Sequence, residues 1–98
     1  MGLSNNLTQK AAKEWTLIAS SDWASVSITG YSEIMIVMFD SSGNSNYANV
    51  FPVSAVPTSG DKWVGVFDPV NTAWVRLYNG GSFRMGNSTN FPGKLYAR

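Results

Sequence analysis

Glu33-Ile34-Met35-Ile36-Val37-Met38-Phe39 is the stretch whose reading decides the fold. It is an unbroken apolar run entered at Glu33 and closed by Asp40, with no polar residues at helical spacing. A bounded run of this length, rich in Ile and Val, reads as a strand, and the Ser-containing stretches on either side and Gly43 beyond Asp40 argue against a short core helix. Alternation places Ile34, Ile36 and Met38 on one face and Met35, Val37 and Phe39 on the other. A strand apolar on both faces needs cover on both, so it belongs inside a sheet or sandwich. Each of these side chains contributes roughly 1.5–3 kcal/mol if fully buried.

The neighbouring segments share the extended character. Before this strand come Trp15–Ala19 and the alternating Ala24-Ser25-Val26-Ser27-Ile28-Thr29. After it comes a polar loop, Ser41–Asn46, and then Tyr47–Phe51, which Pro52 confines to an edge or an end. Val53–Val56 reads as a short helical turn or an irregular crossing. Lys62–Phe67 is a further strand, and Asp68-Pro69-Val70-Asn71 fits a type I turn. Ala73-Trp74-Val75-Arg76-Leu77-Tyr78 alternates cleanly, and Asn79-Gly80 is the strongest hairpin signal in the chain. Ser82–Met85 returns from that turn, residues 87–90 form a loop, and Lys94–Arg98 is the last strand. Turn signals recur about every 8–12 residues. The expected fold is therefore all-β: an antiparallel β-sandwich, jelly-roll or Ig-like, of seven to eight short strands over residues 14–98. Residues 1–13 differ. Leu3, Leu7 and Ala11 lie four apart, as on a short docking helix or an assembly arm, the alternative being a frayed tail.

Composition narrows the chemistry. The 98 residues carry a net charge of +1, with seven basic residues scattered singly, which disfavours nucleic acid as a partner. Cysteine and histidine are both absent from the sequence, removing thiolate ligands, disulfides and the commonest general base. No apolar run approaches the roughly 20 residues of a membrane-spanning helix, so no membrane insertion is expected. The N-terminus shows no signal-peptide pattern. Asp61 and Asp68 bound one extended segment about 20 Å apart, too far for a glycosidase pair. Asp40–Asn44 hints at a calcium loop, but Phe51 stands where a bidentate Glu is needed. Asn6-Leu7-Thr8 and Asn87-Ser88-Thr89 match the glycosylation pattern, which carries little weight without a secretory signal. The expectation is a non-enzymatic protein with no cofactor and no metal.

Aromatic residues are the distinctive resource. On Ala73–Tyr78 the aliphatic side chains form a core face, leaving Trp74, Arg76 and Tyr78 as a platform for a partner or for sugar rings, to which Trp63 and Tyr47 could add. The plainer reading is ordinary sheet residues under a neighbouring loop.

The order of features from Trp15 to Arg98 resembles a small β-sandwich domain found at the C-terminal ends of phage virion proteins. The matching features are Trp15-Thr16-Leu17, Val26-Ser27-Ile28-Thr29, Tyr31-Ser32-Glu33-Ile34, the Pro52–Pro57 middle, the Asn79-Gly80 hairpin and the ending Tyr96-Ala97-Arg98. None of these carries chemistry of its own, and a long preceding shaft, frequent in such domains, is replaced by a short arm. The resemblance implies a structural role in the virion, on a tail fibre, a baseplate or the capsid surface as a decoration protein. It also implies other virion proteins as partners, a symmetric homo-oligomer and attachment to a host-surface glycan as a second task. The competing class is a carbohydrate-binding module.

Overall fold

The computed structural model describes residues 14–86 and 91–98. The expected assembly arm with Leu3, Leu7 and Ala11, and the loop expected at 87–90, lie outside the described residues. Eight strands are described: β1 (Thr16–Ala19), β2 (Ala24–Ser25), β3 (Glu33–Phe39), β4 (Ser45–Pro52), β5 (Trp63–Asp68), β6 (Ala73–Tyr78), β7 (Ser82–Gly86) and β8 (Gly93–Ala97). They form two four-stranded antiparallel sheets, ordered β1-β8-β3-β4 and β2-β7-β6-β5, an antiparallel β-sandwich.

The apolar run is β3, lying between β8 and β4. Its Ile34, Ile36 and Met38 face the other sheet and are fully buried. Cover on the opposite face is partial: Val37 is buried, whereas Met35 and Phe39 are half-buried. That face belongs to the outside of the sandwich, where neighbouring side chains supply the cover, such as Lys94 reaching over the Phe39 ring at 5.1 Å. Across the interior, Ala73, Val75, Leu77, Phe83 and Met85 meet Leu95 and Ala97 in one continuous core. Gly93 sits opposite Val75, where an added Cβ would lie 2.6 Å from both Val75 methyl groups. The missing side chain is what lets the sheets approach there.

The turns follow their chemistry. Asn79 and Gly80 have φ of 52° and 69°, and with Gly81 they form a three-residue loop that pairs Tyr78 with Ser82. Asp40 closes the β3–β4 turn, its Oδ1 accepting the Ser42 and Asn44 N–H groups at 2.9 Å each. Pro52 is the last residue of β4, itself an edge strand, and Val53–Ala55 form a 3-10 turn. The alternating Ala24–Thr29 segment stays in the sheet only as far as Ser25. Beyond it, Val26 N–H donates to the Gly81 carbonyl and the chain crosses to the other sheet.

Asp68 joins the sheets along the opposite side. It ends β5 facing inward and is buried. Its Oδ1 accepts the Val70 and Asn71 N–H groups at 2.9 and 3.2 Å, and its Oδ2 accepts the side-chain amides of Asn71 at 2.7 Å and Asn46, on β4, at 3.3 Å. Foremost the Asn71 side-chain amide, with the two N–H groups and Asn46, holds this carboxyl below its ordinary value, against the opposing effect of burial.

Candidate functional site

The solvent face of the β2-β7-β6-β5 sheet is where the singled-out residues gather. On β6, Ala73, Val75 and Leu77 are fully buried, which turns Trp74, Arg76 and Tyr78 outward. On β5 the same alternation sends Val64 and Val66 inward and Trp63, Gly65 and Phe67 outward. Strand register then sets Trp63 beside Tyr78, Gly65 beside Arg76 and Phe67 beside Trp74.

The Arg76 guanidinium lies between two indoles, 3.9 Å from the centre of Trp63 and 4.1 Å from that of Trp74. Its Nη1 donates to the Tyr78 hydroxyl at 3.0 Å. Its Nε is buried with no hydrogen-bond partner. Trp63 and Trp74 each set a ring edge toward Tyr78, at interplanar angles of 57° and 75°. These tilted contacts are the favoured geometry for aromatic neighbours and hold the rings in fixed orientations. Trp74 also needs Gly86, its cross-strand partner on β7, because a Cβ there would fall 2.3 Å from the indole.

A second stack continues the first. Arg84 is the cross-strand partner of Arg76. It lies over Trp23 at 4.3 Å and Tyr78 at 4.8 Å, and its Nε donates to the Ser82 hydroxyl at 3.1 Å. Trp23 reaches it from a left-handed backbone conformation (φ 61°), next to Asp22, whose Oδ1 accepts the Met85 N–H at 2.8 Å. The face is thus a row of aromatic rings threaded by two guanidinium groups. Trp23, Phe67 and Trp63 are its most open members, at 69%, 52% and 44% exposure.

Of the residues expected to contribute, Trp63, Trp74, Arg76 and Tyr78 come together. Tyr47 lies on β4, the edge strand of the other sheet, which runs beside β5: Asn49 of β4 donates its side-chain amide to the Gly65 carbonyl at 3.1 Å. Trp23, Phe67 and Arg84 complete the face without having been singled out from the sequence.

The electrostatics of this face differ from those of the opposite sheet. There Arg98 also stacks on an indole, Trp15 at 4.2 Å, but its Nε is paired with Glu33 at 2.9 Å. Among the described residues neither Arg76 nor Arg84 forms an ion pair. A groove of about 380 Å³ opens at one end of the sandwich between residues 26–30, the 3-10 turn and the β6–β7 hairpin; none of the stacked residues lines it. No protein-family model, curated protein or solved structure matches this chain.

Proposed function

We propose that the chain is a non-enzymatic contact domain, a virion structural part of the fibre, baseplate or capsid-decoration kind, working through the outer face of the β2-β7-β6-β5 sheet. The observation that carries this reading is the Arg76 guanidinium stacked between Trp63 and Trp74 on a solvent-facing sheet. Trp, Tyr and Arg are the residue types enriched where interfaces concentrate their binding energy, and here Trp63 is held in place while staying 44% exposed. The lack of histidine and cysteine in the sequence agrees with a role that turns over no substrate. Mass spectrometry of purified virus particles from cultures expressing the chain tests the setting. Recovery at a stoichiometry matching a symmetric appendage supports it, and absence from intact particles overturns it. Trp63→Ser tests the face: loss of co-purification with the neighbouring virion protein is expected, with the melting temperature lowered by only a few degrees. Carbohydrate binding is the second reading, favoured by the three open rings Trp23, Phe67 and Trp63.

A further inference from the structure

We infer that the arginine-threaded aromatic face binds an acidic polysaccharide, one whose sugar rings rest on the open aromatic side chains while carboxylates meet Arg76 and Arg84. The inference rests on this face being the contact surface, as proposed above, and it names the ligand class.

The first support is uncompensated charge. Arg76 and Arg84 stand directly opposite each other in register, an arrangement that is destabilising for like charges. Neither has an ion-pair partner among the described residues, whereas Arg98 on the opposite face does. A ligand carrying negative charge relieves the repulsion; a neutral one leaves it in place.

The second is unused donor capacity. A guanidinium carries five N–H groups in a fixed planar fork suited to carboxylates. Among the described residues the side-chain acceptor for Arg76 is the Tyr78 hydroxyl, and for Arg84 the Ser82 hydroxyl. Stacking between rings blocks the flat faces of each guanidinium; the Arg76 Nε is buried as well, which leaves the Nη edge for in-plane hydrogen bonds. Those bonds then form to a group already oriented, at little entropic cost.

The third is the disposition of the rings. Trp63, Phe67 and Trp23 are spread across the face and are open. A pyranose presents a flat apolar C–H surface that fits an aromatic face, with hydroxyls at its rim. Tyr78 is tilted by 57° and 75° against Trp63 and Trp74, so these three rings do not form a parallel stack for successive nucleobases. The two guanidinium groups of this face, on a chain of net charge +1, are also too few to track a phosphate backbone.

The test is titration of the full chain with polygalacturonate and with its fully methyl-esterified form, in which each carboxylate is replaced by an uncharged ester on the same sugar backbone. Hyaluronan and polysialic acid serve as further acidic probes, with single-stranded DNA and phosphatidylserine vesicles as competitors of other classes. At least one acidic polysaccharide is expected to bind, polygalacturonate at least tenfold more tightly than its ester. Arg84→Gln is expected to weaken acidic binding at least tenfold with the far-UV circular dichroism spectrum unchanged. Failure of all three acidic probes, equal binding of the ester, tighter binding of DNA or vesicles, or unchanged affinity in Arg84→Gln would each overturn the inference. If the face serves only protein contact, the sugars fail while Trp63→Ser still abolishes co-purification, which separates this inference from the reading it rests on.

Discussion

Trp74 occupies the space that a side chain on Gly86 would fill. The two are cross-strand partners on β6 and β7, and a Cβ on Gly86 would lie within 2.3–2.8 Å of three indole atoms. Gly86→Ala therefore displaces the ring and opens one side of the Arg76 stack. A loss of about 1–3 kcal/mol is expected, as for other overpacked sites. A change in tryptophan fluorescence distinguishes displacement of the ring from simple backbone strain.

Gly93 and Val75 form the corresponding contact inside the sandwich. Gly93→Ala drives a methyl into both Val75 branches, which an added Cβ would approach to 2.6 Å. The single variant is expected to lose about 1–3 kcal/mol. Adding Val75→Ala makes room, so the double variant is expected to be more stable than the two separate losses would sum to. A double-mutant cycle by chemical denaturation measures this coupling.

The Asp68 cluster makes stability acid-sensitive in a definite direction. The folded-state carboxyl lies below its ordinary value of 3.8. Its contribution is therefore fully present above that value and is lost as pH falls through the lower, folded one. Asp68→Asn is expected to lower the melting temperature at pH 7 and to flatten its decline on the acid side. Parallel pH–melting curves for the two proteins would assign the acid loss to other carboxylates.

The two arginines are not expected to be equivalent. Arg76 has closer ring partners, at 3.9 and 4.1 Å, against 4.3 and 4.8 Å for Arg84. Arg76→Gln is expected to cost about 1–2 kcal/mol, the range for a largely desolvated cation on aromatic faces, and Arg84→Gln under about 1 kcal/mol. Each kcal/mol corresponds to a melting shift of about 4–8 °C in a domain of this size. A gain in stability in either variant would show that repulsion between the pair outweighs stacking.

Much of the aromatic face was legible in the sequence because strand alternation is a strong local signal. Ala73–Tyr78 sorts its aliphatic residues inward and Trp74, Arg76 and Tyr78 outward as that signal requires. Arg84 could have been found the same way: the Asn79-Gly80-Gly81 loop pairs Tyr78 with Ser82 and hence Arg76 with Arg84. Trp23 could not, since its reach depends on a left-handed backbone angle just past the Ser20–Asp22 turn cluster. The setting of Tyr47 was not legible for a different reason. Local pattern identifies a strand but not the sheet it joins, and β4 pairs with β3 rather than with the aromatic face. The Ala24–Thr29 alternation overstated β2 because the chain leaves the sheet at Val26 to reach the opposite layer.

The position of β8 has a kinetic consequence. It fills the slot between β1 and β3, so neither of their ladders with it can form until residues 93–97 have been synthesised. Contacts of such long sequence separation make a slow folder, and a nascent chain halted before Gly93 would carry β1 and β3 with open hydrogen-bonding edges. Productive folding of the sandwich thus waits on β8, and a chain stopped short of it yields a sticky fragment rather than a smaller working domain.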